Sequence, residues 1–469
     1  QITLTLPTLP AGSVFGRVTE ATTAAPLSAT ITVDATPART QTDPNTGLYS
    51  LALPEGVWTL RFAADAHRIV RQAVTVTAAV GQEHNAALPA APTILLVDSG
   101  SWYYGSQAAY FTDALESLGY GAVVWPIRTL LGGSGQPGAP PDLRALRPYD
   151  IVIWSAPFDS PGVVDAADAL YAYLLRGGRL LLSGQDVAFF DGGGSALDPP
   201  RAYFFDEWGL RWQAEDQPAP LIGAAGGPLA AMTITLNTAD SARNQLHPDQ
   251  VEILNPLRTQ PLLTGRAGQI GGAVTGVCRR YRAAWLGFGL EGVGPRADRI
   301  AALGRLLDWL QAAPAPYGLR LEPADGLRIA AAGATITHTL YVTNTGAHAD
   351  TLDVSLIGGP WPATLILPED GAMAMAGSFG LTSCADASVA LQIAIPSDAA
   401  VNARAVYTLT LRSRAAPTLV QTATVTVKTP APILLVADER WYHHQARYAA
   451  ALDALELPYD LFETGGSST

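Results

Sequence analysis

The sequence has 469 residues, of which 48% are hydrophobic and 15% are charged, so it has enough apolar material for several packed domains and is not a disordered chain. Its formal net charge is −12, and an acidic surface argues against nucleic acid or an anionic membrane as a partner. Lys428 is the only lysine, and no apolar run approaches the roughly 20 residues that a membrane span needs. The two cysteines, Cys278 and Cys384, lie in different predicted domains, so we expect neither a disulfide nor a cysteine metal cluster.

The first 90 residues have the pattern of β-strands. Residues 1–7, "QITLTLP", alternate apolar and polar positions and predict a lone strand within residues 1–12 that pairs with a sheet edge outside the first sandwich. In residues 13–90, short alternating runs are separated by the turn sequences "DPNTG" and "LPEG", which predicts a small antiparallel β-sandwich. The strand opened by Gly16, with "TGLYSLALPEG" and "VWTLRF", resembles the carboxypeptidase regulatory-like domain, and this resemblance implies a non-catalytic module.

Residues 91–314 follow a different pattern, in which apolar strands alternate with helices. The runs "TILLVDSG", "YDIVIWS" and "RLLLSGQD" are typical of parallel strands covered on both faces, and "RADRIAALGRLLDWLQAA" is a predicted helix. This alternation predicts a doubly wound open α/β sheet. An insertion over residues 187–269, rich in Gly, Pro and Asp, is expected to form a cap over the carboxyl ends of the strands.

The α/β segment resembles the class I glutamine amidotransferase-like (flavodoxin-like) superfamily, particularly the copies found in large secreted bacterial proteins. Active amidotransferases carry a cysteine on a glycine-flanked elbow after a strand. Here Cys278, in "TGVCRRYRAAW", precedes a predicted strand instead. The resemblance therefore implies the fold and argues against the activity.

Residues 315–429 return to strong alternation and predict a second β-sandwich. The sequences "YVTNTG" and "ADTLDVSL" resemble the bacterial immunoglobulin-like domains of secreted enzymes, with Asn344, Thr345 and Gly346 at the expected bend. The whole combination resembles the modular C-terminal region of large secreted bacterial proteins of the subtilisin-like peptidase type.

The last segment, residues 430–469, repeats the beginning of the α/β domain. "PILLVADERWYHH" with "ALDALELPY" matches "PTILLVDSGSWYY" with "ALESLGY", so Asp438 and Trp441 correspond to Asp98 and Trp102. This match predicts a partial second α/β unit that repeats residues 91–126. We therefore expect the chain to be a section of a longer array of domains.

Polar and aromatic residues follow several of the predicted parallel strands. Ligands of open α/β sheets bind outside the carboxyl ends of the strands. The candidate ligand-binding residues are therefore Asp98, Trp102, Tyr103, Asp159, Ser183, Asp186 and Glu291. Such a set suits a sugar, a peptide or a cation. Asp and Ser at strand ends also cap helices and tighten turns, and this structural role is the main expectation here.

The sequence has no HExxH, GxSxG or Walker motif. His443 and His444 are adjacent, so on a helix they project in different directions and make a poor chelate. We therefore predict no catalytic residue, no metal and no cofactor.

Three functions are compatible with these patterns. The first is a non-catalytic extracellular or cell-surface segment that assembles with other copies of itself or with further domains of the same polypeptide, by strand or domain complementation into a filament. The second is an accessory region of a secreted subtilisin-like peptidase. The third is carbohydrate or peptide binding at the strand ends of the α/β domain.

Overall fold

The computed structural model describes residues 11–130, 134–195, 202–215, 220–256, 258–313, 315–368, 373–437 and 445–463. The strand predicted at residues 1–7 lies outside these ranges, as do Asp438, Trp441, His443 and His444. The chain divides into two compact units, Gln1–Ala312 and Ala313–Thr469. Most of the regular structure is β-sheet distributed over several sheets, in agreement with the prediction of a multidomain β-rich chain.

The first unit begins with a β-sandwich. Its strands are β1 (Ala11–Glu20), β2 (Thr30–Val33), β3 (Arg39–Gln41), β4 (Leu48–Pro54), β5 (Gly56–Ala63), β6 (Val70–Val76), β7 (Gly81–Glu83) and β8 (Ala86–Leu88). One sheet has the order β4-β1-β7 with β8 also paired to β1, and the other has the order β3-β2-β5-β6. Val14 and Val18 alternate with exposed residues along β1 and pack in the core with Phe62.

Gly16 in β1 permits a close approach between neighbouring strands. A Cβ atom at this position would lie 2.0 Å from the carbonyl oxygen of His84. Only glycine leaves room for the chain between β7 and β8 to pass there. This packing gives a physical reason for the glycine at this position of β1.

The α/β part of the first unit follows directly. Its elements are β9 (Ile94–Asp98), a 3₁₀ turn (Ser99–Trp102), α1 (Ala108–Ser117), β10 (Val123–Pro126), α2 (Leu143–Leu146), β11 (Ile151–Ser155), α3 (Ala167–Leu175), β12 (Arg179–Ser183), α4 (Val187–Asp191), α5 (Tyr203–Trp208), β13 (Leu210–Ala214), β14 (Leu221–Gly223), β15 (Thr233–Leu236), β16 (Gln250–Ile253), β17 (Thr259–Thr264), β18 (Ile270–Thr275), β19 (Arg282–Leu286), β20 (Val293–Gly294) and α6 (Arg296–Gln311). The strands β10-β9-β11-β12-β19 are adjacent in this order and all parallel.

Both faces of this parallel sheet are buried. In β9, Ile94 and Leu96 belong to a core formed with α1 and α6, whereas Leu95 and Val97 belong to a second core on the opposite face. Alternate residues of a strand point to opposite faces, so a strand covered on both sides must be apolar at every position. The uninterrupted apolar runs of the sequence are explained by this burial.

The inserted segment after β12 extends the sheet. Strand β18 pairs antiparallel with β19, and β17, β14, β15 and β20 continue the sheet beyond it, while β13 pairs with β16. The same insertion also reaches the carboxyl end of the parallel strands, where Gln185 donates to the carbonyl oxygen of Asn244 over 2.7 Å. The insertion is therefore part sheet extension and part cover.

The sandwich and the α/β part of the first unit make direct contacts. The guanidinium carbon of Arg68 lies 3.5 Å from the ring centroid of Tyr120, and its Nη1 donates to the carbonyl oxygen of Leu118 over 2.8 Å. Arg61 pairs with Glu116 at 3.1 Å. These contacts join β5 and the loop after it to the end of α1.

The second unit contains another β-sandwich. Its strands are β21 (Leu319–Glu322), β22 (Asp325–Ile329), β23 (Thr335–Asn344), β24 (Asp350–Gly358), β25 (Ala363–Ile366), β26 (Met373–Ala374), β27 (Ala376–Leu381), β28 (Asp386–Ala394), β29 (Arg404–Ser413) and β30 (Val420–Lys428). The two sheets have the orders β21-β23-β28-β25-β26 and β22-β30-β29-β24-β27. Leu340, Leu391 and Leu409 are fully buried between them.

A small β-α-β element completes the second unit: β31 (Ile433–Ala437), α7 (Gln445–Ala454) and β32 (Tyr459–Glu463). It has the order and parallel pairing of β9-α1-β10. Leu434 is paired in register with Asp460 of β32, as Leu95 is paired with Val123 of β10. Leu434 is 63% exposed, whereas Leu95 is fully buried. The ammonium group of Lys428 forms a buried ion pair with Asp460, which fixes this element to the end of β30.

Candidate ligand-binding site at the strand ends

The structure brings the predicted site residues to one end of the parallel sheet. Ser155, the last residue of β11, is in register with Asp98 of β9 and with Ser183 of β12. The turns that follow these strands carry the remaining candidates. We call the residues proposed from the sequence the strand-end site: Asp98, Trp102, Tyr103, Asp159, Ser183, Asp186 and Glu291.

Asp98 closes the turn after β9. Its Oδ2 accepts a hydrogen bond from the Ser101 hydroxyl over 2.6 Å, and its Oδ1 accepts one from the backbone N–H of Gln107 over 3.4 Å. The side chain is 1% exposed. Asp98 therefore holds the start of α1 against the sheet, as Asp residues at strand ends commonly do.

Asp159 is buried beneath the same turn. Its Oδ2 accepts hydrogen bonds from the Ser99 hydroxyl over 2.7 Å and from the Trp102 indole N–H over 3.2 Å. Its Oδ1 is buried and has no hydrogen-bond partner in the described part of the chain. Burial raises the pKa of Asp159 to about 7, and the negative charge of Asp98 contributes to this increase.

Asp186 occupies a left-handed position in the sharp turn between β12 and α4. Its φ is 65° and ψ is −2°. Gly184 precedes it closely, and a Cβ atom there would lie 1.8 Å from the carbonyl oxygen of Ala156. In a nucleophile elbow, a strand leads through a tight turn into a helix, and a small residue lies two positions before the side chain at the tip of the turn. The turn at Asp186, with Gly184 before it, has this geometry. The residue at the tip is a carboxylate rather than a thiol or hydroxyl.

His247, from the insertion, lies close enough to Asp186 for the two side chains to interact through their charges. Gln185 accepts hydrogen bonds from the backbone N–H of Leu246 over 2.6 Å and of His247 over 2.7 Å, which fixes this loop beside the elbow. His247 Nδ1 lies 3.3 Å from Glu215 Oε2. Burial raises the pKa of Asp186 to about 6, while the charge of His247 partly opposes the increase.

Ser183 and Glu291 are engaged within the protein. The Ser183 hydroxyl donates to the carbonyl oxygen of Phe288 over 3.2 Å and accepts from the N–H of Leu290 over 2.8 Å. Glu291 Oε1 accepts from the side-chain amides of Asn244 over 3.1 Å and Gln245 over 3.2 Å. Ser183 therefore joins β12 to the turn after β19.

Two further buried carboxylates lie at the same end of the sheet, and neither is among the candidates proposed from the sequence. Asp191 Oδ1 accepts from the Ser160 hydroxyl over 2.7 Å, and Asp249 Oδ2 accepts from the N–H of Ala188 over 2.7 Å. Burial raises the pKa of Asp191 to about 7 and holds the pKa of Asp249 well above its ordinary value. Neither residue directly follows a parallel strand, so strand-end position does not identify them.

Aromatic rings cover part of this acidic region. The ring centroids of Trp102 and Tyr103 are 4.4 Å apart, those of Tyr103 and Tyr104 are 6.4 Å apart, and those of Tyr104 and Phe158 are 4.7 Å apart. Tyr103 and Tyr104 are 42% and 47% exposed. The sequence analysis identifies the first two rings; it misses Tyr104, although "SWYYG" shows it, and Phe158, although it directly precedes Asp159.

The carboxylates of the strand-end site do not form a metal-chelating group. Within the described ranges, no three His, Cys, Asp or Glu residues are placed to hold one metal ion. The helices of these ranges include none of sufficient length and apolar character to cross a membrane.

The cysteines differ from the expectation of the sequence analysis. Cys278 and Cys384 are both disulfide-bonded, and the described residues include no free cysteine. The expectation of no disulfide is therefore wrong, since assignment to different predicted domains is a weak guide to cysteine pairing. Cys278 lies in the turn between β18 and β19 and does not offer a thiolate nucleophile.

One cavity among the described residues lies elsewhere. It has a volume of about 660 Å³ and is at the amino ends of the parallel strands, where Arg147, Arg176 and Arg179 contribute to its lining. This cavity is on the opposite end of the sheet from the strand-end site.

No family model and no curated protein matches the chain. Solved structures with similarity include a family 123 glycoside hydrolase from Clostridium perfringens, at 10% identity over 29% of this chain and 32% of that chain with a TM-score of 0.20. The chain thus spans about a third of that enzyme's length.

Two further similarities concern domains of other proteins. A PapD-like domain of human CEP192 matches at 14% identity over 25% of this chain and 89% of that chain, with a TM-score of 0.17. A type II cohesin–X-dockerin complex from Acetivibrio cellulolyticus matches at 21% identity over 17% of this chain and 58% of that chain, with a TM-score of 0.15. TM-scores this low support no conclusion about the fold or function of this chain.

Proposed function

We propose that the chain is a non-catalytic, modular segment of an extracellular or cell-surface bacterial protein. In this proposal, the carboxypeptidase regulatory-like sandwich, a flavodoxin-like α/β domain and an immunoglobulin-like sandwich follow one another along the chain. The parallel strand order β10-β9-β11-β12-β19 supports the flavodoxin-like assignment, because numbering these strands along the chain gives the order 2-1-3-4-5 of that class.

One observation carries the non-catalytic part of the proposal. The polar side chains at the strand ends are used to hold loops: Ser183 bonds the turn after β19, and Gln185 bonds the insertion. The elbow after β12 presents Asp186, without the cysteine that the amidotransferase reaction requires. A thiol or hydroxyl nucleophile paired with an imidazole is therefore absent from the described part of this site.

The extracellular part of the proposal has separate support. Both cysteines are disulfide-bonded, and disulfides persist in oxidising compartments. The net charge of −12 also suits a soluble surface protein that does not bind nucleic acid. An accessory region of a secreted peptidase has the same compartment, and the complete open reading frame distinguishes the two by the presence of a peptidase domain.

The proposed partners are other copies of this chain or further domains of the same polypeptide. Apolar residues of the β31-α7-β32 element support this choice: Leu434, Val436 and Phe462 are 63%, 52% and 58% exposed. The equivalent strand β9 is covered on both faces by helices. Covering the exposed residues would contribute about 25 cal/mol for each Å² of apolar surface removed from water.

Labelling of intact cells tests the location. We expect an antibody against this chain to label intact producing cells or culture medium, and protease treatment of intact cells to remove the signal while a cytosolic marker survives. Signal that is found only after cell lysis would contradict the proposal.

An activity assay tests the non-catalytic assignment. The full chain should hydrolyse glutamine and p-nitrophenyl esters no faster than heat-denatured protein, and turnover above this control would contradict the assignment.

A further inference from the structure

The strand-end site has a large excess of negative charge. Seven carboxyl groups lie at this end of the sheet: Asp98, Asp159, Asp186, Asp191, Glu215, Asp249 and Glu291. Burial is the main cause of the raised pKa values of five of them, and the charges of neighbouring carboxylates contribute: these five are Asp159, Asp186, Asp191, Asp249 and Glu291. In the described ranges, the ion pair of His247 with Glu215 is the only one that any of them makes.

Three oxygens of these carboxylates are buried without a hydrogen-bond partner in the described chain. They are Asp159 Oδ1, Asp249 Oδ1 and Glu291 Oε2, on residues that are 1%, 0% and 0% exposed. Buried carboxylates without a compensating positive group are costly. Asp159 lies directly under the aromatic rings, because the Trp102 indole donates to its other oxygen.

The aromatic rings offer a surface on which a cation can bind. Tyr103 is 42% exposed as a residue. Burial is the main cause of its raised pKa, and the charges of Asp159 and Asp186 contribute to the increase. Phe158 and Tyr104 extend the surface. A cation over an aromatic face is attracted by the ring quadrupole, and the attraction grows when carboxylates lie behind the ring.

Two observations favour an organic cation over a metal ion. The carboxylates are not arranged to chelate one ion, and the exposed surface is made of rings, which are poor ligands for hard cations. The Asp186 carboxylate is part-exposed at the tip of its turn and makes no hydrogen bond in the described chain, so it is accessible for contact.

We propose that Tyr103, Tyr104, Phe158 and Asp186, above the buried Asp159, form a binding site for an alkylammonium group. The rings contact the methylene or methyl groups next to the nitrogen, and Asp186 supplies the adjacent negative charge. A free quaternary ammonium compound such as choline and the lysine side chain of a peptide both present an alkylammonium cation. The site goes beyond the proposed modular function and does not depend on it.

Calorimetric titration of the full chain at pH 8 tests the proposal. Choline should bind, while 3,3-dimethyl-1-butanol, the uncharged analogue of the same shape, should bind at least tenfold more weakly. The peptide Gly-Lys-Gly distinguishes the sources: tighter binding than choline indicates a peptide ligand, and weaker binding indicates a free quaternary ammonium compound. CaCl₂ is titrated as the metal control.

Matched variants locate the site. Tyr103→Leu and Asp186→Asn should each weaken choline binding at least tenfold, whereas Tyr103→Phe should retain it, because the ring rather than the hydroxyl makes the contact. Tyr341→Leu, at a tyrosine that is 52% exposed on the second sandwich, is the control and should not change the affinity. Near-ultraviolet circular dichroism verifies that each variant is folded.

Several results would overturn the proposal. These are equal affinity for choline and its uncharged analogue, no binding of either ammonium probe, or binding of calcium in place of the ammonium probes. Unchanged choline affinity in folded Tyr103→Leu and Asp186→Asn proteins would do so as well. A negative result in these titrations would not change the outcome of the location and activity tests. The binding site and the proposed function are therefore tested independently.

Discussion

Burial determines the protonation behaviour of Asp159. Its pKa is raised to about 7, and burial is the main cause. Because the native pKa is above the unfolded value, Asp159 favours folding at low pH, and this contribution decreases as the pH rises from about 4 to about 7. A carboxyl group in an exposed turn has the opposite behaviour, as Asp43 illustrates.

Replacing Asp159 with Asn should therefore stabilise the protein at neutral pH. The amide oxygen retains the hydrogen bonds from Ser99 and Trp102, while the ionisable group is lost. We expect the gain in free energy of unfolding to increase between pH 4 and pH 7 and then to level off. Each unit of pKa shift corresponds to about 1.4 kcal/mol, so the gain should not exceed a few kcal/mol.

Urea denaturation at a series of pH values measures this effect, with Asp43→Asn as the control. The Asp43 carboxylate accepts hydrogen bonds from Asn45 and Thr46, and the bonds to Thr46 are the main cause of its lowered pKa. Asp43→Asn should therefore lose stability at neutral pH, and the loss should shrink as the pH falls. A pH-independent difference for Asp159→Asn would contradict the assigned protonation behaviour.

At the residue scale, the sequence predicts the part of the site that follows strands directly. Asp98, Ser183 and Asp186 are visible because they come after apolar runs that must be parallel strands. His247, Asp249 and Glu215 are not predicted, because the insertion folds back over about 60 residues to reach β12, and no local pattern encodes that return. Their positions depend on tertiary contacts.

At the element scale, the turn between β12 and α4 is the most constrained part of the site. A Cβ atom on Gly184 would lie 1.8 Å from the carbonyl oxygen of Ala156, which belongs to the chain just after β11. The carboxyl ends of β11 and β12 therefore lie close together at Gly184, where a side chain would not fit between them.

Gly184→Ala should force β11 and β12 apart and destabilise the first unit by about 3 kcal/mol. Gly121→Ala is the matched control, because no atom lies within 4 Å of the Cβ position and φ is not positive. The control should be neutral or slightly stabilising through a less flexible unfolded chain. Thermal unfolding of both variants measures the difference, and equal melting temperatures would contradict the close packing described here.

Elements with a strong pattern are well predicted, and the inserted strands are not. The parallel strands β9, β11 and β12 are buried on both faces, so every position is apolar and the pattern is unambiguous. Strands β14 and β15 are short, of three and four residues, and their ends are set by pairing with β17 and β20. Pairing with distant partners leaves no periodic signal in so short a segment.

At the scale of the whole molecule, the two compact units have separate cores. Leu96 is fully buried in a core of the first unit, and Leu391 is fully buried between the sheets of the second. Because these cores share no residues, each unit is expected to unfold as its own cooperative step when disulfides are reduced.

Calorimetry under reducing conditions should therefore show two unfolding transitions. Leu96→Ala should lower only one of them and Leu391→Ala only the other, each by the equivalent of about 2–5 kcal/mol for a buried leucine. A single transition that both substitutions lower equally would show that the units unfold together.

Lys428 is buried in its ion pair with Asp460 and is 5% exposed. It is also the only lysine of the sequence. The described surface thus displays arginine as its sole permanently cationic side chain and carries no side-chain primary amine. Aldehydes, acylating reagents and enzymes that join proteins through lysine find no target there, so covalent coupling of this segment to its surroundings has to use another functional group.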